Sequence, residues 1–188
     1  MTAMVHIDVA AILQTSVNGV YTDLVTRATG RAVRTRIEHD IADGRPGAVA
    51  VIDFSNVGLL DFSCADEIVA TLMRQCCADT VARERYVLFA GIKDAHLDAI
   101  EHVLERHKLA LVVRITAGGT YRLMGMVDEV ERLVWEAVAR AQAADVAGIA
   151  AETRLTGDEV STCLATLHRR RLIMREGAIF RAPTGAVA

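Results

Sequence analysis

Proline stands at only two of 188 positions, Pro46 and Pro183. No low-complexity tract accompanies them, so long disordered linkers are excluded, and a chain that is 52% apolar can bury a sizeable core. No apolar run approaches the roughly 20 residues that span a bilayer. The opening residues, MTAMVHIDVAAIL, lack the basic region of a signal peptide. These absences predict a cytoplasmic protein with no membrane partner.

An excess of positive charge is also missing. Residues 1–140 hold 15 Lys/Arg against 19 Asp/Glu, and residues 141–188 hold 6 against 5. A dedicated nucleic-acid domain is normally strongly basic. The four cysteines, Cys64, Cys76, Cys77 and Cys163, form no CxxC pair. Zinc sites need closely spaced ligands, so the thiols read as small buried apolar groups and no metal is expected. His102 and His107 are five apart and miss a common helix face. Nucleophile elbow, phosphate-cradling glycine loop and HExxH are all absent. Asp53 ends an apolar run, where catalytic groups often sit, but no partner base or nucleophile accompanies it. The expectation is a protein that is not an enzyme and carries no cofactor.

What is present is an alternation. Residues 4–12 read as a weakly patterned strand, followed by a turn at Ser16, Asn18 and Gly19. Val33, Ile37 and Ile41 recur at i+4 and predict a helix over 27–43, ended by Gly44, Pro46 and Gly47. Three short apolar runs, 48–54, 86–92 and 109–115, have the length of buried strands. Helices are predicted between them over 63–76 and from an Asp94 cap to Lys108. Gly118-Gly119 turns the chain into a short apolar piece, 121–126. This is the pattern of βα units on a substantially parallel sheet. In the helix over 128–143, Val130, Leu133, Val134, Ala137, Val138 and Ala141 mark the inner face.

The pattern then shortens. Asp145 caps a helix to Arg154, and Thr156 with Glu159 fits a capping box for a helix to Arg171. Residues 172–181 read as two strands turning at Glu176-Gly177. Helix, turn, helix, hairpin is the winged-helix order. The chain is thus read as an α/β domain over 1–127 with a mixed or parallel sheet of about four strands covered by helices. A shared helix follows over 128–143, then a small C-terminal winged helix-turn-helix over 144–188.

The segment VIDFSNVGLLDFSCADEIVATLMR (51–74) resembles the central motif of STAS domains, the fold of anti-sigma-factor antagonists and sulphate-transporter tails. There a buried strand leads through a loop into Asp-Ser-Ser-Gly at a helix start. Asp61 and Ser63 match; Phe62 and Cys64 replace a small hydroxyl residue and a glycine. The Ala65-Asp66-Glu67 continuation is closer to a divergent STAS-like subgroup. The resemblance implies a regulatory or signalling adaptor that binds a partner protein, such as a kinase-type anti-sigma factor, through the surface around Asp61 to Glu67 with the loop from Asn56. It also implies that Ser63 is a phosphorylation switch beside Asp61, Asp66 and Glu67. The residues alone fit a second reading, in which Ser63 and Asp66 form a capping box.

Arg27, Arg31 and Arg34 fall on one helix face and would suit an anion or an acidic partner, although Arg34 is also placed to pair with Glu38. In the C-terminal unit Thr162, Thr166, Arg169, Arg170 and Arg175 are the candidates for DNA contacts. Asp158 and Glu159 oppose that role, because they stand at the end of the helix that normally meets the bases. An adaptor whose winged helix binds protein, and a DNA-binding regulator with a STAS-like sensor, are the two leading readings; an enzyme or nucleotide-binding domain using Asp53 or the Arg27/Arg31/Arg34 face is the third. Edge strands or the wing would offer a homodimer surface.

Overall fold

A computed structural model describes residues 3–17, 21–44, 47–78, 84–115 and 120–184. Pro46, Asn18 and Gly19 of the expected turn, and Gly118-Gly119 lie outside them; Ser16, expected in that turn, is helical instead. The first strand, β1 (Met4–Asp8), stops earlier than its apolar run. Asp8 accepts hydrogen bonds from the Ala10 and Ala11 amides (2.9 and 3.1 Å) and so caps a helix, α1 (Val9–Val17). Then come α2 (Arg27–Ala42), β2 (Val49–Asp53), α3 (Phe62–Ala65), a π-helical turn (Asp66–Ala70) and α4 (Thr71–Ala78). Next are β3 (Tyr86–Ala90), α5 (Asp94–His107), β4 (Ala110–Arg114) and β5 (Tyr121–Gly125). The chain closes with α6 (Glu129–Ala141), α7 (Val146–Thr153), α8 (Gly157–Arg169), β6 (Met174–Glu176) and β7 (Ile179–Arg181).

The protein is α/β, with a five-stranded mixed sheet and a small antiparallel hairpin. The sheet runs β1-β2-β3-β4-β5 in chain order; its first four strands are parallel, and β5 returns antiparallel to β4. Right-handed crossovers between successive parallel neighbours must all lie on one face. Accordingly α1 to α5 share one side, where Leu13, Val33, Ile37, Leu72 and Ile100 pack on Ala50, Ile52, Val87, Phe89, Leu111 and Val113. The alternate strand residues, Val49, Val51, Tyr86, Leu88, Ala110 and Val112, point the other way. Strands buried on both faces explain why these runs are continuously apolar rather than alternating.

That second face is covered by the C-terminal third of the chain. Val134, Trp135 and Val138 of α6, with Ile149, Leu164, Leu167, Ile173 and Phe180 behind them, join the sheet residues in one cluster. Trp135 is buried, and its indole N–H donates to the Leu172 carbonyl (3.0 Å). Val130 and Leu133, assigned to the inner face from their spacing, are instead 44% and 39% exposed, because only one side of α6 meets the sheet. Between α6 and α7, Ala144 pairs with Phe180 of the hairpin, adding a one-residue third strand. Among the described residues no helix is long and apolar enough to cross a membrane.

Two contacts set the geometry of the segment after β2. A Cβ on Gly30 would lie 2.9 Å from Cys64 Cα, so glycine permits α2 to approach α3 closely. The π turn follows that contact, with the Thr71 amide and hydroxyl both directed to the Asp66 carbonyl.

Candidate functional site

The loop leaving β2 is held from three sides. Asp53 accepts from the Ser55 amide (2.8 Å), and Val57 returns a backbone bond to Phe54. Residues 57–61 then run parallel to 22–24: Gly58 donates to Thr22, Leu24 to Leu59, and Asp61 to Leu24. Asp23 accepts from the Leu59 amide. From α5, His96 accepts the Lys93 amide at Nδ1 (3.2 Å), so its Nε2–H donates to the Gly58 carbonyl (2.9 Å). Lys93 Nζ donates to Val57. His96 is fully buried and begins the helix in the role expected of Asp94; Lys93 is the N-cap, and Asp94 is the first helical residue.

Asp61, not Ser63, caps the next helix. Its carboxylate accepts from the Cys64 amide (2.8 Å) and from the Ser63 hydroxyl (2.9 and 3.1 Å). Partial burial works against its charge, but those donors outweigh it and hold the carboxyl below the usual aspartate range. The Ser63–Asp66 capping box does not form, since α3 starts one residue before Ser63 and Asp66 lies beyond its end. Cys64 Sγ donates to the Thr26 carbonyl (3.0 Å). Burial, then the Asp61 charge, push its thiol up to about 12, which leaves it protonated and inert.

Two of the three acidic candidates, Asp66 and Glu67, meet the three basic ones. Arg27 Nη1 reaches both Asp66 and Glu67 at 3.0 Å, Arg31 reaches Glu67 at 3.6 Å, and Arg34 Nε lies 3.5 Å from the same carboxylate. Arg34 also pairs with Glu38. Asp66 takes His107 Nε2 at 2.6 Å. Glu67 is only 8% exposed and is the hub of this cluster, whereas Arg27 and Arg31 are more than half exposed. Burial opposes ionisation of Asp66, yet the His107 and Arg27 hydrogen bonds prevail and lower its pKa.

The same balance recurs where the C-terminal unit meets the sheet. Arg171 is 5% exposed; it donates to Cys76 and Glu84 and lies over the Tyr86 ring. Glu84 is disfavoured as an anion by burial. The Tyr86 hydroxyl and the Arg171 and His168 charges overcome that and depress its pKa. A carboxyl with a depressed folded pKa contributes stability above its unfolded value, and that contribution is lost as pH falls through the folded one. The unfolded values are 3.8 for Asp61 and Asp66 and 4.5 for Glu84. The urea midpoint is therefore expected to drop between about pH 5 and about pH 3. An unchanged midpoint would mean that these ion pairs contribute nothing.

Of the C-terminal candidates, Thr162 and Arg169 are exposed on α8 and Thr166 is half-buried. Arg170 is committed to Glu131 (2.8 and 2.9 Å) and to the Met126 carbonyl. Arg175 donates to Gly177 and covers the Phe180 ring. Thr156 hydrogen bonds hold the exposed Glu159 carboxyl below its usual range, so α8 presents two acids at its N-terminus. A cavity of about 480 Å³ lies between α7, α8 and the hairpin, lined by Ser161, Ala165, His168 and Phe180 among others. Among the described residues no group of three or more His, Cys, Asp or Glu is arranged to hold a metal ion.

In the loop from Asn56 to the start of α3, the junction also carries exposed apolar side chains that sequence reasoning did not single out. Alternation along the 22–24/58–60 pairing turns Leu24 and Leu60 inward, and Val25 and Leu59 outward. Leu59 is 55% and Phe62 52% exposed, and Val25 and Tyr21, which flank the paired segment 22–24, are exposed as well. Phe62 meets His102 of α5 edge-on, with 4.9 Å between ring centroids. The signal was the run Gly58-Leu59-Leu60-Asp61-Phe62, too apolar for a solvated loop yet able to bury only alternate residues. Comparison with protein-family models and with curated protein sequences returned no match.

Proposed function

We propose that this protein is a non-enzymatic cytoplasmic regulatory adaptor. In this reading its α/β part is a STAS-like domain that engages a partner protein through the β2–α3 junction, and residues 144–184 are a winged helix that serves as a second protein-binding module. One observation carries the reading: the arginines of α2 and the acids at 66–67 neutralise each other, while an apolar face of Leu59, Phe62, Val25 and Tyr21 stays exposed on a rigid support. Exposed apolar clusters of this kind mark interaction sites. A preorganised loop also lowers the entropic cost of binding.

Ser63 fits the switch that the STAS resemblance implies. Its hydroxyl is half-buried and donates to Asp61. Phosphorylation would remove that donor, set like charge against the cap of α3, and loosen the face next to Phe62. A kinase-type anti-sigma factor is the partner class consistent with such a switch. For the C-terminal unit, the order helix, bridge, helix, helix, hairpin, with Ala144 pairing to Phe180, supports the winged-helix reading.

Capture from the source cell with full-length protein, against Leu59→Asp/Phe62→Asp, tests the adaptor reading. Both positions are exposed, so folding should survive. The expected result is loss of the same co-purifying protein from the double variant; unchanged capture would overturn the reading.

A DNA-binding regulator is the second reading, favoured by the winged-helix order and by exposed Thr162, Arg169 and Arg175. It requires binding to genomic fragments that weakens in Arg169→Ala/Arg175→Ala. No binding even at low salt would reject it.

A further inference from the structure

The apolar face at the junction has a charged border, and that border specifies the partner. Asp94, Asp98, Glu101 and Glu105 of α5 follow one another at i+4, i+3 and i+4, so they form a single stripe along the helix. All four are exposed, and none forms an ion pair among the described residues. The stripe abuts the aromatic centre of the face: His102, which packs on Phe62, lies four residues after Asp98 and three before Glu105. Asp23 and Asp61 add two further carboxylates within the loop pairing that carries Leu59. Across the face, Arg27 and Arg31 are already matched by Asp66 and Glu67. Two cations also border the face, Lys93 at the Val57 carbonyl and exposed Arg106 on α5, but these six carboxylates outnumber them.

Asp94 in the first turn suits the helix macrodipole, but nothing in the fold calls for the other three acids. Like charges at i+3 and i+4 destabilise an exposed helix, and an acid in the last turn of α5 opposes the macrodipole. Lysine at 101 would pair with Asp98 and Glu105 and would stabilise the helix. Retaining four unpaired acids beside an exposed aromatic is the arrangement of a surface that meets cations.

Resting on the adaptor reading above, we infer that the junction face binds a cationic amphipathic helix of a partner protein. Its apolar anchors would sit on Leu59, Phe62 and Val25, and its lysines or arginines would lie along the α5 carboxylates. Helix-in-groove recognition uses apolar anchors at i, i+3, i+4 and i+7, which leaves the flanks free for charge. An anionic membrane surface is disfavoured by the same carboxylates.

The test uses full-length protein and fluorescently labelled peptides of about 16 residues. One has leucines at the anchor spacing with lysine flanks, one has glutamate flanks, and one scrambles the first. Anisotropy should report a dissociation constant of about 10 µM or tighter for the lysine peptide only, weakening as salt rises. Asp98→Lys/Glu101→Lys/Glu105→Lys should weaken it at least about tenfold, as should Leu59→Asp/Phe62→Asp. Glu101→Lys alone should raise the melting temperature while weakening the peptide, a combination that a merely structural role would not produce. Binding of the glutamate or scrambled peptide, indifference to α5 charge reversal, no binding at all, or binding to phosphatidylglycerol vesicles instead would each overturn the inference. If the lysine peptide fails while Leu59→Asp/Phe62→Asp still loses the captured partner, the adaptor reading stands and only the occupant is wrong. If that capture is unaffected too, both fall.

Discussion

Replacing Glu67 by glutamine is expected to cost the protein about 3 kcal/mol, a large share of the stability of an ordinary domain. The amide is nearly isosteric, so the loss measures charge rather than packing. Contacts to Arg27 and Arg31 contribute little of it, because both guanidinium groups are more than half exposed and water screens them. Arg34 is different. Its side chain is 15% exposed and Nε lies 3.5 Å from the carboxylate, out of hydrogen-bonding geometry but close enough for a strong charge contact. Without Glu67, a largely desolvated cation would retain only Glu38. Asp66→Asn should cost less, since that carboxylate is more exposed and its partners reach water. Urea unfolding of the two variants beside wild type ranks them. A Glu67→Gln protein as stable as wild type would mean that the hub is a surface ion pair.

Truncating Trp135 to alanine should cost about 3–5 kcal/mol, a large share of the roughly 5–15 kcal/mol that holds an ordinary domain folded. The indole is one of the largest fully buried groups, it packs in the cluster shared by the sheet and the C-terminal unit, and its N–H satisfies the Leu172 carbonyl. Deletion leaves a cavity and an orphaned buried acceptor together. The shared core has a further consequence for the wild-type protein. Because Val51 and Leu88 of the sheet contact the same cluster as Leu164 and Phe180, unfolding should be one transition. Trp135 is the only tryptophan, so its fluorescence reports that cluster alone while circular dichroism reports all helices. Coincident curves are expected; a separate early transition by either probe would mean two independent units.

Sequence reasoning reached the elements better than it reached their partners. The runs at 48–54, 86–92 and 109–115 were legible because strands buried on both faces leave no polar positions to confuse the period. The caps of α7 and α8 were legible because each is built within four residues. The start of α1 was missed because Asp8 interrupts one apolar run and serves as a cap that the run conceals. Arg27 and Glu67 are 40 residues apart, and no local period records that their helices cross where Gly30 meets Cys64. Two candidate sites were therefore read where the fold has one ion-pair cluster. The candidate surface left over was found from exposure, which the sequence hints at only in the run 58–62.

A double-mutant cycle between Glu67 and Arg34 tests most directly whether those two groups exist for each other rather than for an outside ligand. Unfolding free energies of Glu67→Gln, Arg34→Met and the combined variant should be non-additive, with a coupling of about 1–3 kcal/mol. Additivity within about 0.5 kcal/mol would contradict mutual neutralisation and return both groups to the list of free binding residues.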